Sequence, residues 1–294
     1  MSLTTDATTT SIIDTTGTTP KSAAPRVLRD PVVLVCLGWI VGLVGWSLTG
    51  AFPHSPTVAD PAVLLHPPGG GYPFGVDQDG YDVLSRTVHA AKFDVLMALA
   101  GALVAAVAGT WLGILMSGEG RLPALATRGL DVFQAVPLLV VAVAVIGLVG
   151  TSRTILVVII AAINTPLFIR LVQSEARLVR QRGYVTVARI HGVSEGTIRR
   201  RHILPNVTGV LFPQFSLSIG YAIASVGALS FLGLSEPGSA SWGSMIKAGI
   251  PLLPLNQWWM VVFPSLALFS VVLAFSELSH RLQGHVEQIP GGAR

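Results

Sequence analysis

The chain has 294 residues, 51% hydrophobic and only 12% charged, with a mean hydropathy of +0.66. Soluble domains carry roughly 25% charged residues, so the composition excludes an ordinary soluble enzyme and reads as an all-α polytopic membrane protein. The net charge of +4 follows more simply from membrane topology than from a nucleic-acid partner, and the single cysteine, Cys36, excludes an intrachain disulfide framework or a cysteine zinc site.

Residues 1–30 hold nine threonines, with Lys21, Arg26 and Arg29 near their end. They contain no apolar stretch of the signal-peptide kind and read as a disordered polar tail. A helix needs about 20 apolar residues to cross the bilayer core, and six segments meet this: 31–52, 95–116, 132–150, 154–169, 207–233 and 257–275. The fourth can extend through Leu171 and Val172 if Arg170 snorkels. Only Thr151, Ser152 and Arg153 separate the third and fourth, which fits a tight helical hairpin. The expected plan is a tail at 1–30, a first transmembrane helix at 31–52 and an extracytoplasmic segment at 53–94. A five-helix core follows at 95–280, with a polar loop at 170–206 inside it, and then a tail at 281–294.

Lys and Arg counts set the orientation. The tail, 117–128, 170–206 and the C-terminus carry 15 basic residues, against 4 for the intervening segments. Both termini and the loop 170–206 are therefore expected in the cytoplasm, with Trp258 and Trp259 at the outer interface. The cores of the six segments contain no Asp, Glu, Lys or Arg, which argues against a proton-coupled carrier built on an intramembrane relay. Two readings stand for the polar residues Gln134, Asn164, Thr165, Gln214, Ser216, Ser218 and Tyr221. One is hydrogen bonding between helices. The other, for Gln134, Asn164, Gln214 and Ser218, is the wall of a translocation path, with Pro137, Pro166 and Pro213 bending helices nearby.

Within the outer segment, Pro67–Gly71 cannot be regular structure. The D-x-D start at Asp77 lacks the glycine and terminal glutamate of a calcium loop, since Asp82 and Val88 occupy those positions. It reads as a turn feeding a short helix, with Asp82 in the first helical turn. None of the three lysines sits in a phosphate-binding loop, neither H-E-x-x-H nor G-x-S-x-G occurs, and the seven histidines are too scattered for a metal site. No cofactor is expected in this chain.

The loop 170–206 carries eight arginines. The positive-inside rule and contact with anionic lipid account for that charge. They do not account for its punctuation. Val185–Ile190 can form a short helix, Gly192 can end it in a left-handed cap, and Ser194 can cap a second helix from Glu195. That helix runs through Arg199, Arg200 and Arg201 and must reorganise near Pro205. Such order suggests a docking surface for a cytoplasmic partner.

This loop resembles the E-A-A-x3-G-x9-I-x-L-P signature of bacterial ABC importer permeases. Ala188, Gly192, Leu204 and Pro205 stand at the family positions, with Thr186 for Glu, Val187 for the first Ala and His202 for Ile. Two further stretches are similar to the dipeptide, oligopeptide and nickel branch. One is Pro73, Gly75, Asp77, Gly80 and Asp82–Arg86, with Val76 for Thr and Tyr81 for Arg. The other is Phe231–Leu234 followed by Ser241–Gly243. The resemblance spans roughly 30–285 and identifies the chain as a C-type permease of that branch.

The resemblance implies a type I ABC importer fold with six transmembrane helices in a bacterial inner membrane. It implies pairing with a homologous B-type permease, two ATPase subunits or a fused ATPase that bind ATP and Mg, and an extracytoplasmic binding protein that delivers di- or oligopeptides, nickel or another small solute. It makes 185–192 a coupling helix seated on an ATPase, through Tyr184, Val185, Thr186, Ala188, Arg189, His191 and Gly192, with Arg189 or Glu195 as stand-ins for the missing glutamate. The competing readings are an ATP-independent carrier or channel, opposed by the ordered loop, and a membrane scaffold without transport.

Overall fold

The computed structural model describes residues 30–118, 120–236 and 238–287; the tail expected at 1–30 lies outside them except for Asp30. Among the described residues there is no β-strand, only two isolated bridges. The first half of the chain forms α1 (Pro31–Thr49), α2 (Val83–Met116), α3 (Arg121–Ala135), α4 (Leu138–Val149) and α5 (Arg153–Arg180). Then follow α6 (Gly183–Ile190), α7 (Glu195–Ile198), a π-helical stretch (Arg199–Ile203), α8 (Leu204–Phe231), α9 (Trp242–Gly249) and α10 (Trp259–Glu287). Five helices are long and apolar enough to cross a membrane, and six crossings result if α3 and α4 are counted as one bent span.

The first helix starts at its expected residue, 31, and ends at Thr49, three residues before its expected limit of 52. The Asp30 carboxylate accepts from Val32 N, and Gly50, at φ +70°, ends the helix. The second differs. The Asp82 side chain accepts from Ser85 N and so sits just before the helix as its N-cap, not within its first turn. Nothing breaks the chain from there to Met116, so the expected short helix and second span are one helix of 34 residues, about 51 Å long at 1.5 Å per residue.

The third expected span, 132–150, is not one helix. Val136 precedes a proline and adopts φ −84°, ψ 129°, because the proline ring disfavours helical backbone before it. The 12 residues of α4 reach about 18 Å, short of a core of about 30 Å. They bend by 81° from α3. The hairpin into α5 is tight as expected: Gly150 ends α4 at φ +87° and Ser152 caps α5 by accepting from Ile155 N.

The fourth helix overruns its expected end at 169 and continues to Arg180. Arg170 pairs with Asp131 of α3 at 2.9 Å. At the chain's end, α10 runs to Glu287, so the tail expected from 281 is helical over its first seven residues. Arg281 there bonds Glu277, one turn back, and Asp30 beside α1.

Packing of α2 against α5 relies on small residues. Gly101, Ala105, Gly109 and Gly113 recur every fourth residue, and Ala105 is fully buried. A Cβ on Gly101 would stand 2.5 Å from Ile160, one on Gly109 2.5 Å from Phe168, and one on Gly113 2.8 Å from Val172. The absence of side chains lets the backbones approach, which is how helices gain packing energy where lipid supplies no hydrophobic drive. Gly243 of α9 does the same against α8, where a Cβ would fall on the Gly227 carbonyl. Ser216 of α8 donates to the Phe275 carbonyl and Ser279 of α10 to the Pro213 carbonyl, so these hydroxyls link helices.

Two main cores result among the described residues, with Ala105, Ala161 and Phe168 as a minor third cluster between α2 and α5. The larger joins α1, α2, α4, α5, α8, α9 and α10. The smaller gathers Ile114, Val172, Val179, Val185, Ile198, Ile203 and Val207 where α2, α5, α6, α7 and α8 meet. The exterior of the long helices is apolar, with Leu103, Val107, Trp111, Leu266, Phe269 and Leu273 all exposed. A patch that wide is expected where lipid is the solvent.

Candidate functional site

The arginine-rich segment is built as its punctuation indicates, with shifted limits. The short helix starts at Gly183, two residues before Val185, and ends at Ile190. Gly192 adopts φ +77°; its N–H donates to the Arg189 carbonyl at 2.9 Å, and Val193 N–H to the Ala188 carbonyl at 3.1 Å. This bond pair is a Schellman cap. A Cβ at Gly192 would meet nothing within 4 Å, so glycine serves here for its backbone freedom, not for space. His191 turns its Nδ1 to the Val187 carbonyl at 2.8 Å. Ser194 caps α7 by accepting from Thr197 N.

Val185 is fully buried in the smaller core, and Val193 packs against the same cluster. The opposite face of α6 is unusual for a surface helix. Tyr184, Val187 and Ile190 are 44%, 52% and 78% exposed at intervals of three residues, an apolar ridge with Thr186 and Arg189 beside it, also exposed. Asn206 reaches the Tyr184 hydroxyl at 3.5 Å, and the His202 ring lies 5.7 Å from the Tyr184 ring.

One carboxylate fixes α6 to its surroundings. Glu195 accepts from Arg180 Nη1 at 2.7 Å and from Arg189 Nε at 2.8 Å. Arg180, whose side chain is 7% exposed, also donates from Nε to Ser117 Oγ at 3.4 Å. The end of α2, the end of α5, α6 and α7 are thus tied through one buried guanidinium. The role of Arg180 was not legible in the sequence, where it stood as one of eight loop arginines; the usable signal was the isolated Glu195 immediately after the Ser194 cap.

Farther along, α7 continues into the π-helical stretch, where Leu204 N bonds the Arg199 carbonyl five residues back. Pro205 follows and can donate no N–H. The expected reorganisation takes the form of this wide turn, and the helix carries on into α8.

Of the four candidate path residues, only Gln214 and Ser218 are joined by a hydrogen bond. Gln134 is exposed on α3. Asn164, 1% exposed, donates to the Ile160 carbonyl of its own helix at 2.9 Å, and its Oδ1 has no partner among the described residues. Gln214 reaches Ser218, fully buried one turn on, at 3.4 Å.

At the other end, the segment around Asp77 is a folded lid on α2. Asp77 Oδ1 accepts from the N–H groups of Asp79 and Tyr81, and Oδ2 from Arg86 at 2.9 Å. Burial pushes the Asp77 carboxyl above its ordinary range, while the Tyr81 N–H, Arg86 and the Asp79 N–H pull it back. Gly75 and Gly80 have positive φ, and a Cβ on either would collide, with Trp259 and His66 or with the Asp60 backbone. Phe74 stacks on Phe263 of α10, centroids 3.9 Å apart.

Two expectations change here. Trp258 is 43% exposed, but Trp259 is buried and donates from Nε1 to the Val76 carbonyl at 3.2 Å, pinning the lid instead of lying at an interface. The second span's expected start at 95 also shifts, because α2 begins at Val83. Asp94 falls inside α2 with 0% exposure, accepting the Trp242 N–H at 2.9 Å on Oδ2, while the Trp242 indole donates to the Thr87 carbonyl at 2.8 Å. Starting the second span at 95 hid this residue. The carboxylate anchors α9 through the Trp242 backbone N–H.

Between lid, α2 and α9 lies a cavity of about 400 Å³ lined by Asp77, Asp79, Arg86, Glu236 and Met260. A neighbour of about 360 Å³ is lined by His89, Lys92, Phe93 and Arg153. Gly238 and Ser239 border both, and Arg153 pairs with Glu236 at 2.8 Å.

An apolar multi-helix body with a capped helix exposed at one end and a folded lid at the other is the setting in which residues 101–288 match the family described as binding-protein-dependent transport system inner membrane component. The chain belongs to this family. It is a multi-pass permease component of a binding-protein-dependent transport system. The chain is 31% identical over 272 residues to the probable D,D-dipeptide transport system permease protein DdpC of Escherichia coli (strain K12), covering 92% of this chain and 89% of the relative. It is 32% identical over 241 residues to the di/tripeptide transport system permease protein DppC of Pseudomonas aeruginosa (strain UCBPP-PA14), covering 79% and 78%. It is 34% identical over 218 residues to the glutathione transport system permease protein GsiD of Pectobacterium atrosepticum, covering 74% and 72%.

Proposed function

We propose that this permease forms half of the translocation path of an ATP-driven importer for di- or oligopeptides, paired with a homologous B-type permease. The relatives named for dipeptides, di/tripeptides and glutathione support a peptide-like substrate. In this reading both termini and the arginine-rich end face the cytoplasm, and an extracytoplasmic binding protein docks at the lid. ATP and Mg belong to two ATPase subunits, or one fused ATPase, beneath the membrane. The domain plan, with a five-helix core behind α1, is part of this reading.

The observation that carries the coupling role is α6 itself. Its inner face is buried through Val185, its end is fixed by the Gly192 cap, and its outer face presents Tyr184, Val187 and Ile190 exposed. Apolar side chains held outward on a rigid element are suited to a protein socket. The residues Tyr184, Thr186, Ala188, Arg189 and His191 complete that face. Movement of the ATPase would push α6 as a body, and the Arg180–Glu195–Arg189 clamp would pass the push to α5 and α2. With Thr186 in place of the family glutamate, Glu195 is the carboxylate that engages Arg189.

Asn164, Gln214, Ser218 and Gln134 remain candidates for the path. Replacing Gln214 by Leu tests this: altered uptake kinetics with normal ATPase binding supports it, and unchanged kinetics removes Gln214 from the path. The function as a whole is tested by affinity purification from membranes followed by peptide uptake into proteoliposomes. ATPase subunits should copurify and uptake should require ATP; robust uptake by the permeases alone would establish the carrier reading instead.

A further inference from the structure

Beside the clamp, where the second half of α2 passes the start of the helix running from Glu195, there is a cavity of about 550 Å³. Its walls are of two kinds. Trp111, Ile114, Leu115 and Leu204 make an apolar side, and Arg199 and Arg200 make a cationic rim. Trp111 and Leu115 are 59% and 50% exposed, so the apolar side opens outward along α2. A second hollow, lined by Ser194, Thr197, Arg200 and Arg201, adjoins it, and Gly196 borders both. A Cβ on Gly196 would meet nothing within 4 Å, which leaves the junction open.

The charge at this rim is unspent. Arg170, Arg180 and Arg189 of the same segment each have a carboxylate partner. Arg199, Arg200 and Arg201 have none among the described residues, and the Arg199 Nε is buried without any hydrogen-bond acceptor. A buried guanidinium donor without an acceptor is costly, and a compact anion would satisfy it together with the neighbouring positive charge.

We propose that this cavity binds one anionic phospholipid, its headgroup phosphate held by Arg199 and Arg200 and its acyl chain laid along Trp111 and Leu115. A soluble anion would leave the apolar wall unused. An apolar protein helix would cover the wall and leave the guanidinium groups unmatched. A lipid with a charged phosphodiester above an acyl chain satisfies both, and the site lies where a membrane-crossing helix passes into its polar flank. The bound lipid would brace the helix carrying Glu195. This goes beyond general attraction of a basic loop to a membrane, because it assigns the affinity to two arginines out of eight.

The test is native mass spectrometry of the full-length chain in detergent, titrated with phosphatidylglycerol and with phosphatidylcholine of the same acyl chains. Phosphatidylglycerol should bind with an advantage of about tenfold or more. Arg199→Gln with Arg200→Gln should abolish that advantage, the double Lys variant should retain most of it, and Arg177→Gln with Arg182→Gln, an equal loss of charge in the same segment, should leave it intact. Equal loss in both Gln pairs would mean diffuse attraction and overturn the site. So would release of the lipid by millimolar inorganic phosphate, which would mark a free-anion site. In the assembled transporter, a photocrosslinker at Leu115 should label lipid; labelling of another subunit would overturn the proposal in favour of a protein contact.

Discussion

The two ends of the molecule are held by different physics. At the lid end, the bonds are long in sequence: Trp242 to Asp94 and Thr87, Trp259 to Val76, and Asp60 to Gly80. The first three fix α9 or the lid to a long helix at a buried polar contact, and the last closes the lid on itself. At the arginine-rich end the bonds are mostly local: the Gly192 cap, the Ser194 cap, and one carboxylate shared by two arginines within 15 residues, with Arg180 to Ser117 the long exception. The lid end is thus stapled to the bundle. The other end packs its short helices onto the ends of α2, α5 and α8 through the smaller core and is fixed there by the Arg180–Glu195–Arg189 clamp. Damage at the first should cost folding, and damage at the second should cost coupling.

The sharpest way to break that contrast is Gly243→Ala. The new methyl falls on the Gly227 backbone, which no rotamer change relieves, so the loss should be about 3 kcal/mol, seen as a lowered Tm in detergent. Next is Asp94→Leu. It leaves the buried Trp242 N–H without an acceptor, at a cost of about 2 kcal/mol; Asp94→Asn keeps an acceptor and should cost less than half as much by the same thermal assay. Glu195→Ala should cost about 1.5 kcal/mol, because Glu195 is itself half exposed but leaves the buried Arg180 unpaired. Its larger effect should be on ATP consumed per peptide imported, with assembly preserved. An Asp94→Leu variant that uncoupled without destabilising, or a Glu195→Ala variant that destabilised without uncoupling, would invert the comparison.

Much of the arginine-rich end was legible because its structure is local. Gly192, Ser194 and Pro205 act on neighbours within five residues, and each does in the structure what its chemistry allows. Limits were less legible. Helix α2 was cut at 95 because Arg86, Lys92 and Asp94 raise the polarity of a helix that does not stop there. The apolar pattern of the third span runs unbroken across Val136 and Pro137, although the proline restricts the residue before it. The partners of Asp94 and Trp259 lie 148 and 183 residues away, and no pattern in one sequence pairs groups so distant. The small-residue stripe on α2 was present as a four-residue period, but its meaning depended on Ile160, Phe168 and Val172 facing it.

The central claim is that α6, held by its left-handed cap, passes ATPase movement to the bundle. Gly192→Val tests it most directly. A β-branched residue at φ +77° is strained by about 1–2 kcal/mol, and with open space at the Cβ no clash confuses the result. The measurement is ATP hydrolysed per peptide imported, in proteoliposomes of the assembled transporter. Gly192→Val should assemble normally and raise that ratio about tenfold, while Gly192→Asn, which tolerates the conformation, should stay close to the original. A Gly192→Val transporter with an unchanged ratio would contradict the account.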